Sequence, residues 1–345
     1  MTKAAELAKM GEVLTNSQIG GRRNIVINGA MQVAQRGDTT GVTDGYGGPD
    51  RYKFARSGAA EVTLSQDTTV PSSQGFKSSL KINVTTADSS LAAGDYALIS
   101  TRLEGQDLQH LMYGTSAAKK VTLQFWVRSP KTGTHIVELY HGDVAYFNSQ
   151  TYTIASADTW QKVTLTFDGY QPSAIDNDNG IGIQISWWLA AGSTYSGGTL
   201  SSNTWHNTQA NRAVGLVNVM DSTSNNFYLT GVQLEVGEQD TPFEHRAFAD
   251  ELKRCQRYYQ TDGGTRHIYS GTSVNGAYYY STVPLITPMR TGPTLTYSSN
   301  AATAFNTSDP VLNNSGKHRF EVYKQSNATS NSAYFLFLYQ ATAEL

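Results

Sequence analysis

The sequence contains one cysteine, Cys255, so no disulfide bond can form within the chain and stability has to come from the core. Charged residues make up only 16% of the chain and the net charge is -2, which argues against nucleic-acid binding, because proteins of that class carry a basic surface. No apolar run approaches the about 20 residues that a membrane-spanning helix needs, and residues 1–14 lack the continuous apolar segment of a secretion signal. We therefore expect no membrane partner and synthesis in a cytoplasm, with release by lysis if the protein works outside a cell.

Glycine, serine, threonine and asparagine are abundant, and there are 20 tyrosines against 9 prolines. Many β-branched and aromatic residues with little charge favour pleated sheets over helices. A length of 345 residues is sufficient for two domains. The surface is expected to be neutral and rich in hydroxyl and amide groups, which suits neutral ligands such as sugars and is equally ordinary in any stable β protein.

Hydrophobic alternation indicates many short strands between about Arg22 and Gly237. Clusters of turn-forming residues separate them, as is typical of an antiparallel sandwich or barrel. The predicted strands are Asn24–Asn28, Glu61–Gln66, Leu80–Val84, Tyr96–Leu103, Val121–Val127, His135–Tyr140, Thr151–Ile154, Trp160–Phe167, Ile181–Trp187 and Phe227–Val236.

Residues 2–14 form a predicted amphipathic helix with one apolar stripe, Leu7, Met10 and Leu14. A helix this short is marginal alone in water. The stripe therefore needs a partner, which is another copy of the chain, an adaptor protein, or its own domain.

A second helix is predicted from Thr241, where Thr241-Pro242-Phe243-Glu244 has the pattern of a capping box. Phe248, Leu252, Cys255 and Tyr259 follow on one face, and Gly263-Gly264 ends the helix. Cys255 is expected to be a buried small side chain. Because Phe248, Leu252 and Tyr259 would otherwise be exposed, we expect a homotrimer in which these residues are the contacts of a three-fold helical bundle.

A second β region follows the helix. Its predicted strands are Ala277–Val283, Pro293–Tyr297, Arg319–Lys324 and Ala333–Thr342, with a long polar loop over Asn300–Gly316. In Tyr278-Tyr279-Tyr280, strand alternation places Tyr279 on the face opposite to its two neighbours.

Two segments resemble phage and prophage tail-fibre proteins. One contains Val232–Gly237, Thr241–Arg246 and Glu251–Tyr259; the other is Asn24–Arg36. The resemblance implies a virion protein in which these segments bracket a jelly-roll domain similar to carbohydrate-binding modules. Residues 1–23 resemble leaders in phages of marine bacteria, so the expected N-terminal partner is another virion structural protein, with Leu7, Met10 and Leu14 as the particle-attachment residues. The expected architecture is all-β: an attachment segment (1–21), an antiparallel jelly-roll sandwich (22–238), a connecting α-helix (239–264) and a smaller C-terminal β domain (265–345).

No catalytic, metal or cofactor site stands out. The seven histidines share no metal-ligand spacing, and His135 and His141, which flank a predicted strand, are expected at the surface. Residues 176–180 are expected to form an Asx-rich turn, because their spacing does not fit an EF-hand. Asp143, Asp168, Asp176 and Asp178 are too scattered to nominate the carboxylate pair of a glycosidase, so we expect no enzyme activity.

The candidate ligand site is aromatic. Adjacent strand residues Trp187 and Trp188 face opposite sides of the sheet, so one lies in the core and the other is exposed or covered by the loop that carries Tyr195 and Trp205. Rings beside amides and hydroxyls can hold sugars, although a core position or a neighbouring subunit would cover them equally well. Three hypotheses remain: a tail fibre that binds a host surface polysaccharide, a capsid decoration or collar protein without a ligand, and a glycan-degrading tailspike.

Overall fold

A computed structural model of the protein describes residues 3–4, 23–261, 266–306, 310–313 and 316–345. The chain divides into two compact units, Met1–Phe248 and Ala249–Leu345. The predicted attachment residues Leu7, Met10 and Leu14 lie outside the described residues. No helix among the described residues is both long enough and apolar enough to cross a bilayer.

The first unit is a sandwich of two antiparallel sheets. Its strands are β1 (Thr39–Val42), β2 (Asp44–Tyr46), β3 (Lys53–Ser57), β4 (Glu61–Asp67), β5 (Ser79–Thr86), β6 (Tyr96–Glu104), β7 (Val121–Arg128), β8 (Gly133–His141), β9 (Tyr146–Ile154), β10 (Gln161–Phe167), β11 (Ile181–Ala191) and β12 (Asn226–Val236). The first sheet has the order β1-β4-β5-β12-β7-β10, and the second has the order β2-β3-β6-β11-β8-β9. This is the jelly-roll sandwich expected from the sequence.

The core lies between the two sheets because each strand alternates its side chains between the two faces. Leu80, Ile82 and Val84 of β5 face Trp187 and other apolar residues of the second sheet within one continuous cluster. The predicted strand Asn24–Asn28 is wrong: Asn24 and Ile25 have no regular secondary structure, and residues 26–28 form a bend. The buried amides of Asn24 and Asn28 donate to backbone carbonyls, including that of Val232 at 2.9 Å, and so hold the chain in a non-strand path.

The start and the end of the sandwich are tied together by side-chain hydrogen bonds. Arg23 Nη1 donates to Thr241 Oγ1 at 2.9 Å, and the Asn24 N–H donates to Glu244 Oε2 at 2.6 Å. Arg246 donates to the carbonyl of Val26 at 3.0 Å. The two segments that carry the sequence resemblance therefore contact each other and close the domain.

The same contacts explain why the capping box predicted at Thr241 is wrong. The Thr241 N–H and Oγ1 both donate to the Glu235 carboxylate, at 2.9 and 2.7 Å, and Glu244 bonds to Asn24 instead of to the cap. The chain runs without helix from Thr241 to Arg246, and the helix starts only at Phe248. Bonds to the Glu235 carboxylate and to the distant Asn24 N–H have therefore replaced the local capping interaction.

A short helix, α1, spans Ser193–Ser196, and the helix after the sandwich, α2, spans Phe248–Gln256. Of the three predicted trimer contacts, Phe248 is 55% exposed, Leu252 is half-buried and Tyr259 is only 3% exposed. Tyr259 belongs to a strand and not to the helix, so the predicted stripe is shorter than expected. Cys255 is buried, as expected.

The second unit contains two smaller antiparallel sheets. Its strands are β13 (Tyr259–Thr261), β14 (Arg266–Ser273), β15 (Tyr278–Pro284), β16 (Thr294–Thr303), β17 (Val311–Asn313), β18 (Arg319–Gln325) and β19 (Ser330–Thr342). In one sheet β19 pairs with β13, β14 and β16; the other has the order β15-β18-β17. Residues 300–316 are not one long loop, because they include the end of β16 and all of β17.

Candidate functional site

The outer face of the second sheet carries an unusual set of side chains for a surface. The strand register aligns Ala55, Leu98, Trp188 and Ile136 in one row across β3, β6, β11 and β8. The next rows hold Lys53, Ser100, Ser186 and Glu138, and then Arg102, Gln184 and Tyr140. Because alternate residues share a face, all of these side chains point away from the core.

A long connection after β11 covers part of this face. It begins with α1, contains a 3-10 turn at Gln209–Asn211, and places Tyr195 and Arg212 over Trp188. The Tyr195 ring centroid lies 5.4 Å from that of Trp188 and 5.5 Å from that of Tyr96. Trp188 is consequently only 1% exposed.

Arg212 is held by a buried carboxylate. Its Nη2 and Nε donate to the two oxygens of Glu138 at 2.7 and 2.9 Å, and Ser149 Oγ donates to the same carboxylate at 3.2 Å. The guanidinium carbon lies 3.8 Å from the ring centroid of Phe147 and 4.9 Å from that of Trp188. Bidentate pairing and stacking on two rings together fix the plane of the guanidinium.

A cavity of about 210 Å³ opens beside these residues. Its lining combines aromatic rings, small side chains and hydrogen-bonding groups: Ala55, Tyr96, Leu98, Ser100, Arg102, Gln184, Trp188, Tyr195 and Arg212. Arg102 Nε donates to Gln184 Oε1 at 2.7 Å, and Gln184 Nε2 donates to Ser186 Oγ at 2.9 Å, so the polar groups of the floor are held in fixed orientations. Burial raises the pKa of the Tyr96 phenol, and the neighbouring Tyr195 and Asp44 raise it further, so this hydroxyl stays protonated and can donate a hydrogen bond.

The lining contains no aspartate or glutamate. Glu138, which lies behind Arg212, has both carboxylate oxygens engaged by the guanidinium. Among the residues that the structure describes, no group of three or more histidine, cysteine, aspartate or glutamate side chains is placed to hold a metal ion. The arrangement can therefore offer ring faces and hydrogen bonds to a ligand, but the cavity offers no carboxylate for acid–base chemistry.

The structure separates the four aromatic residues proposed from the sequence. Trp188 and Tyr195 line the cavity together. Trp187 is fully buried in the core on the other face of the sheet, 5.6 Å from the ring of Phe125. Trp205 packs against the edge of the core, donating Nε1 to the Asp168 carbonyl at 2.7 Å, and does not line the cavity.

Sequence reasoning missed the polar half of the site. Tyr96, Ser100 and Arg102 alternate within β6, which was a usable signal for an outward face. Glu138 in the middle of the apolar strand β8 was a signal for a buried ion pair. Its partner Arg212 could not be found, because 74 residues separate the two in the chain.

The expectation that His135 and His141 are surface residues is wrong, because both are buried. His135 stacks on Tyr152 with ring centroids 5.5 Å apart and makes a 3.0 Å hydrogen bond to the Lys131 carbonyl. Burial lowers the pKa of both imidazoles, and the neighbouring Asp143 only partly offsets this for His141. Each imidazole is therefore part of the packed interior.

No protein-family model and no curated protein matches the sequence. Among solved structures, the fold is similar to the enzymatically active domain of tailspike protein 4 of bacteriophage CBA120, at 14% identity and a TM-score of 0.35, covering 62% of this chain and 21% of that one. A CBM4 structure matches at 16% identity and a TM-score of 0.31, covering 61% of this chain and 98% of that one. The family 11 carbohydrate-binding module from Clostridium thermocellum, in complex with a β-1,3-1,4-mixed-linked tetrasaccharide, matches at 11% identity and a TM-score of 0.30. The match covers 59% of this chain and 98% of that one. These likenesses concern the fold alone.

Proposed function

We propose that this chain is a glycan-binding protein without catalytic activity, and that the cavity over the second sheet holds one sugar unit. The observation that carries the proposal is the combination of the rings of Tyr96 and Tyr195 with the fixed polar groups of Arg102 and Gln184 in one cavity. The ring faces can cover the apolar face of a pyranose, while the amide and guanidinium groups bond its hydroxyls. At about 210 Å³ the cavity is smaller than the about 300–1,000 Å³ of pockets for drug-sized ligands, which favours a single sugar unit over an oligosaccharide.

The test is binding of the full chain to an array of host surface glycans, followed by titration calorimetry with the best ligand. Tyr195→Ala should weaken binding about tenfold, because it removes one ring wall. Tyr140→Ala is the matched control: Tyr140 lies on the same face and stacks on Phe147 at 5.4 Å, but it is outside the cavity lining. Equal losses in the two variants, or no binding to any host glycan, would contradict the proposal.

The proposal places this activity on a bacteriophage particle, as a tail fibre or other receptor-binding protein. The support is the sequence resemblance of Asn24–Arg36 and Val232–Tyr259 to tail-fibre proteins. Gold-labelled antibody against the chain should decorate the tail in electron micrographs. Labelling confined to the capsid would favour a decoration protein instead, and deletion of residues 1–20 without loss of incorporation would contradict attachment through the N-terminus.

The lack of catalysis and the trimeric state belong to the same proposal. The absence of carboxylates from the cavity lining supports a binding role, and release of reducing ends from a bound polysaccharide would contradict it.

The exposed Phe248 at the start of α2 supports a trimer in which this side chain is buried against other copies of the chain. Light scattering should give a mass three times the 37.6 kDa of one chain, and a mass of 37.6 kDa at micromolar concentration would contradict the trimer.

A further inference from the structure

Three tyrosines share the outer face of the sheet β15-β18-β17 in the second unit. Tyr278 and Tyr280 are 55% and 62% exposed. The register pairs Tyr280 with Tyr323, whose ring centroids are 4.8 Å apart at an interplanar angle of 34°, and Tyr278 lies 5.9 Å from Tyr323 at 69°. The three rings therefore contact one another and form one aromatic cluster on this face, of which Tyr278 and Tyr280 are the more exposed members; we call these three residues the tyrosine face.

The tyrosine face is not needed to build the core of its unit. Tyr279, between the two exposed residues, points to the opposite side and packs against Tyr269 and Phe305, with centroids 4.7 and 5.6 Å away. By contrast, the hydroxyls of Tyr278 and Tyr280 make no hydrogen bond with any described residue. Large exposed rings with unused hydroxyls on a rigid strand are typical of a binding surface.

We infer that the tyrosine face binds the interior of a neutral polysaccharide chain. More than half of the Tyr278 and Tyr280 side-chain surface is exposed, so a polysaccharide chain can lie across the rings and continue at both ends. Strand alternation places Thr282, Glu321, Gln325 and Arg319 on the same face, so hydroxyl and amide groups lie beside the rings. One glutamate and one arginine cancel in charge, which favours a neutral ligand over an acidic one.

A second copy of the chain is the competing occupant. The centre of an interface between subunits is depleted of charged residues and enriched in apolar ones. Here Glu321 lies in the row next to Tyr280 and Tyr323, and an aliphatic neighbour, Val311, stands at the edge, paired with Tyr323. The alternation of rings with polar groups fits a sugar chain better than a second protein surface.

The experiment is affinity electrophoresis of the full chain in gels that contain dextran, mixed-linkage β-glucan or galactomannan, with alginate as the acidic comparison. At least one neutral polysaccharide should retard the protein, and Tyr278→Ala/Tyr280→Ala should weaken the retardation about tenfold. The matched control is Val274→Ala/Ile286→Ala, which removes two exposed apolar side chains of the same unit that are 56% and 51% exposed. If the alanine variant does not fold, Tyr278→Phe/Tyr280→Phe is measured in its place. This variant keeps the rings and removes the hydroxyls, so it should retain part, but not all, of the binding.

The outcomes separate this inference from the cavity. Retardation that survives Tyr195→Ala and is lost in Tyr278→Ala/Tyr280→Ala supports the tyrosine face even if the cavity binds nothing. No retardation by a neutral polysaccharide, equal retardation of all variants, or retardation by alginate alone would overturn it. A lower oligomer mass of Tyr278→Ala/Tyr280→Ala in light scattering would also overturn it, because the face would then bind a second copy.

Discussion

Replacing Arg212 by alanine removes the counter-ion of a carboxylate that has no access to water. Glu138 is fully buried, and of its three close donors two belong to Arg212, at 2.7 and 2.9 Å. The remaining donor, Ser149 Oγ at 3.2 Å, is neutral. The variant also loses the stacking of the guanidinium on Phe147 and Trp188.

Removing one partner of a buried ion pair costs about 3–5 kcal/mol, because the other charge is left buried and uncompensated. In a domain of about 150–250 residues, 1 kcal/mol lowers the midpoint of thermal unfolding by about 2–4 °C, so Arg212→Ala should lower it by about 6–20 °C. Adding Glu138→Gln removes the uncompensated charge and should restore part of this loss.

The assay is urea unfolding followed by tryptophan fluorescence, with calorimetry for the thermal midpoint. Lys162→Ala is the control, because it breaks an ion pair of 2.7 Å to Asp240 whose side chains are 36% and 35% exposed. An exposed pair of this kind contributes about 0–1 kcal/mol. If Arg212→Ala were no less stable than Lys162→Ala, or if Glu138→Gln made the double variant still less stable, the account of a buried ion pair would be wrong.

Three further predictions concern the stability of the first unit. Trp205→Ala should lower the free energy of unfolding by about 3 kcal/mol, because it removes a core-edge ring and its hydrogen bond; unchanged urea unfolding would mean that the ring is not structural. Gly231→Ala should lower the thermal midpoint, since the backbone has a φ of +63° and a Cβ would lie 2.7 Å from Phe76 Cζ; a higher midpoint would refute this. Burial lowers the pKa of His135, so its contribution to stability is present above the unfolded value of about 6.5 and is lost as the pH falls below it. Between pH 8 and pH 5, the thermal midpoint should fall less in His135→Gln than in His318→Gln, the control variant at an exposed histidine. Equal decreases in the two variants would contradict the lowered pKa of His135.

Local pattern was sufficient for most strands. Leu80, Ile82 and Val84 alternate in the sequence and lie in the core as β5, and Tyr279 faces away from Tyr278 and Tyr280 as strand geometry requires. Local pattern failed where side chains had a stronger distant partner. Thr241 and Glu244 resemble a capping box, but Arg23 donates to the Thr241 hydroxyl and the Asn24 N–H donates to Glu244, across more than 200 residues of chain.

In the candidate site, too, some features follow from local sequence pattern and others depend on contacts between distant residues. The sequence by itself determined that Trp187 and Trp188 point in opposite directions, because the side-chain period of a strand is two. It did not determine which of them lies in the core, since that depends on which face of the second sheet packs against the first. Only the tertiary structure decided that Trp188 and Tyr195 meet Arg212 above a buried Glu138, while Trp205 joins a separate aromatic cluster. The physical reason is that strand periodicity acts over a few residues, whereas sheet register and charge pairing join residues that are far apart in the chain.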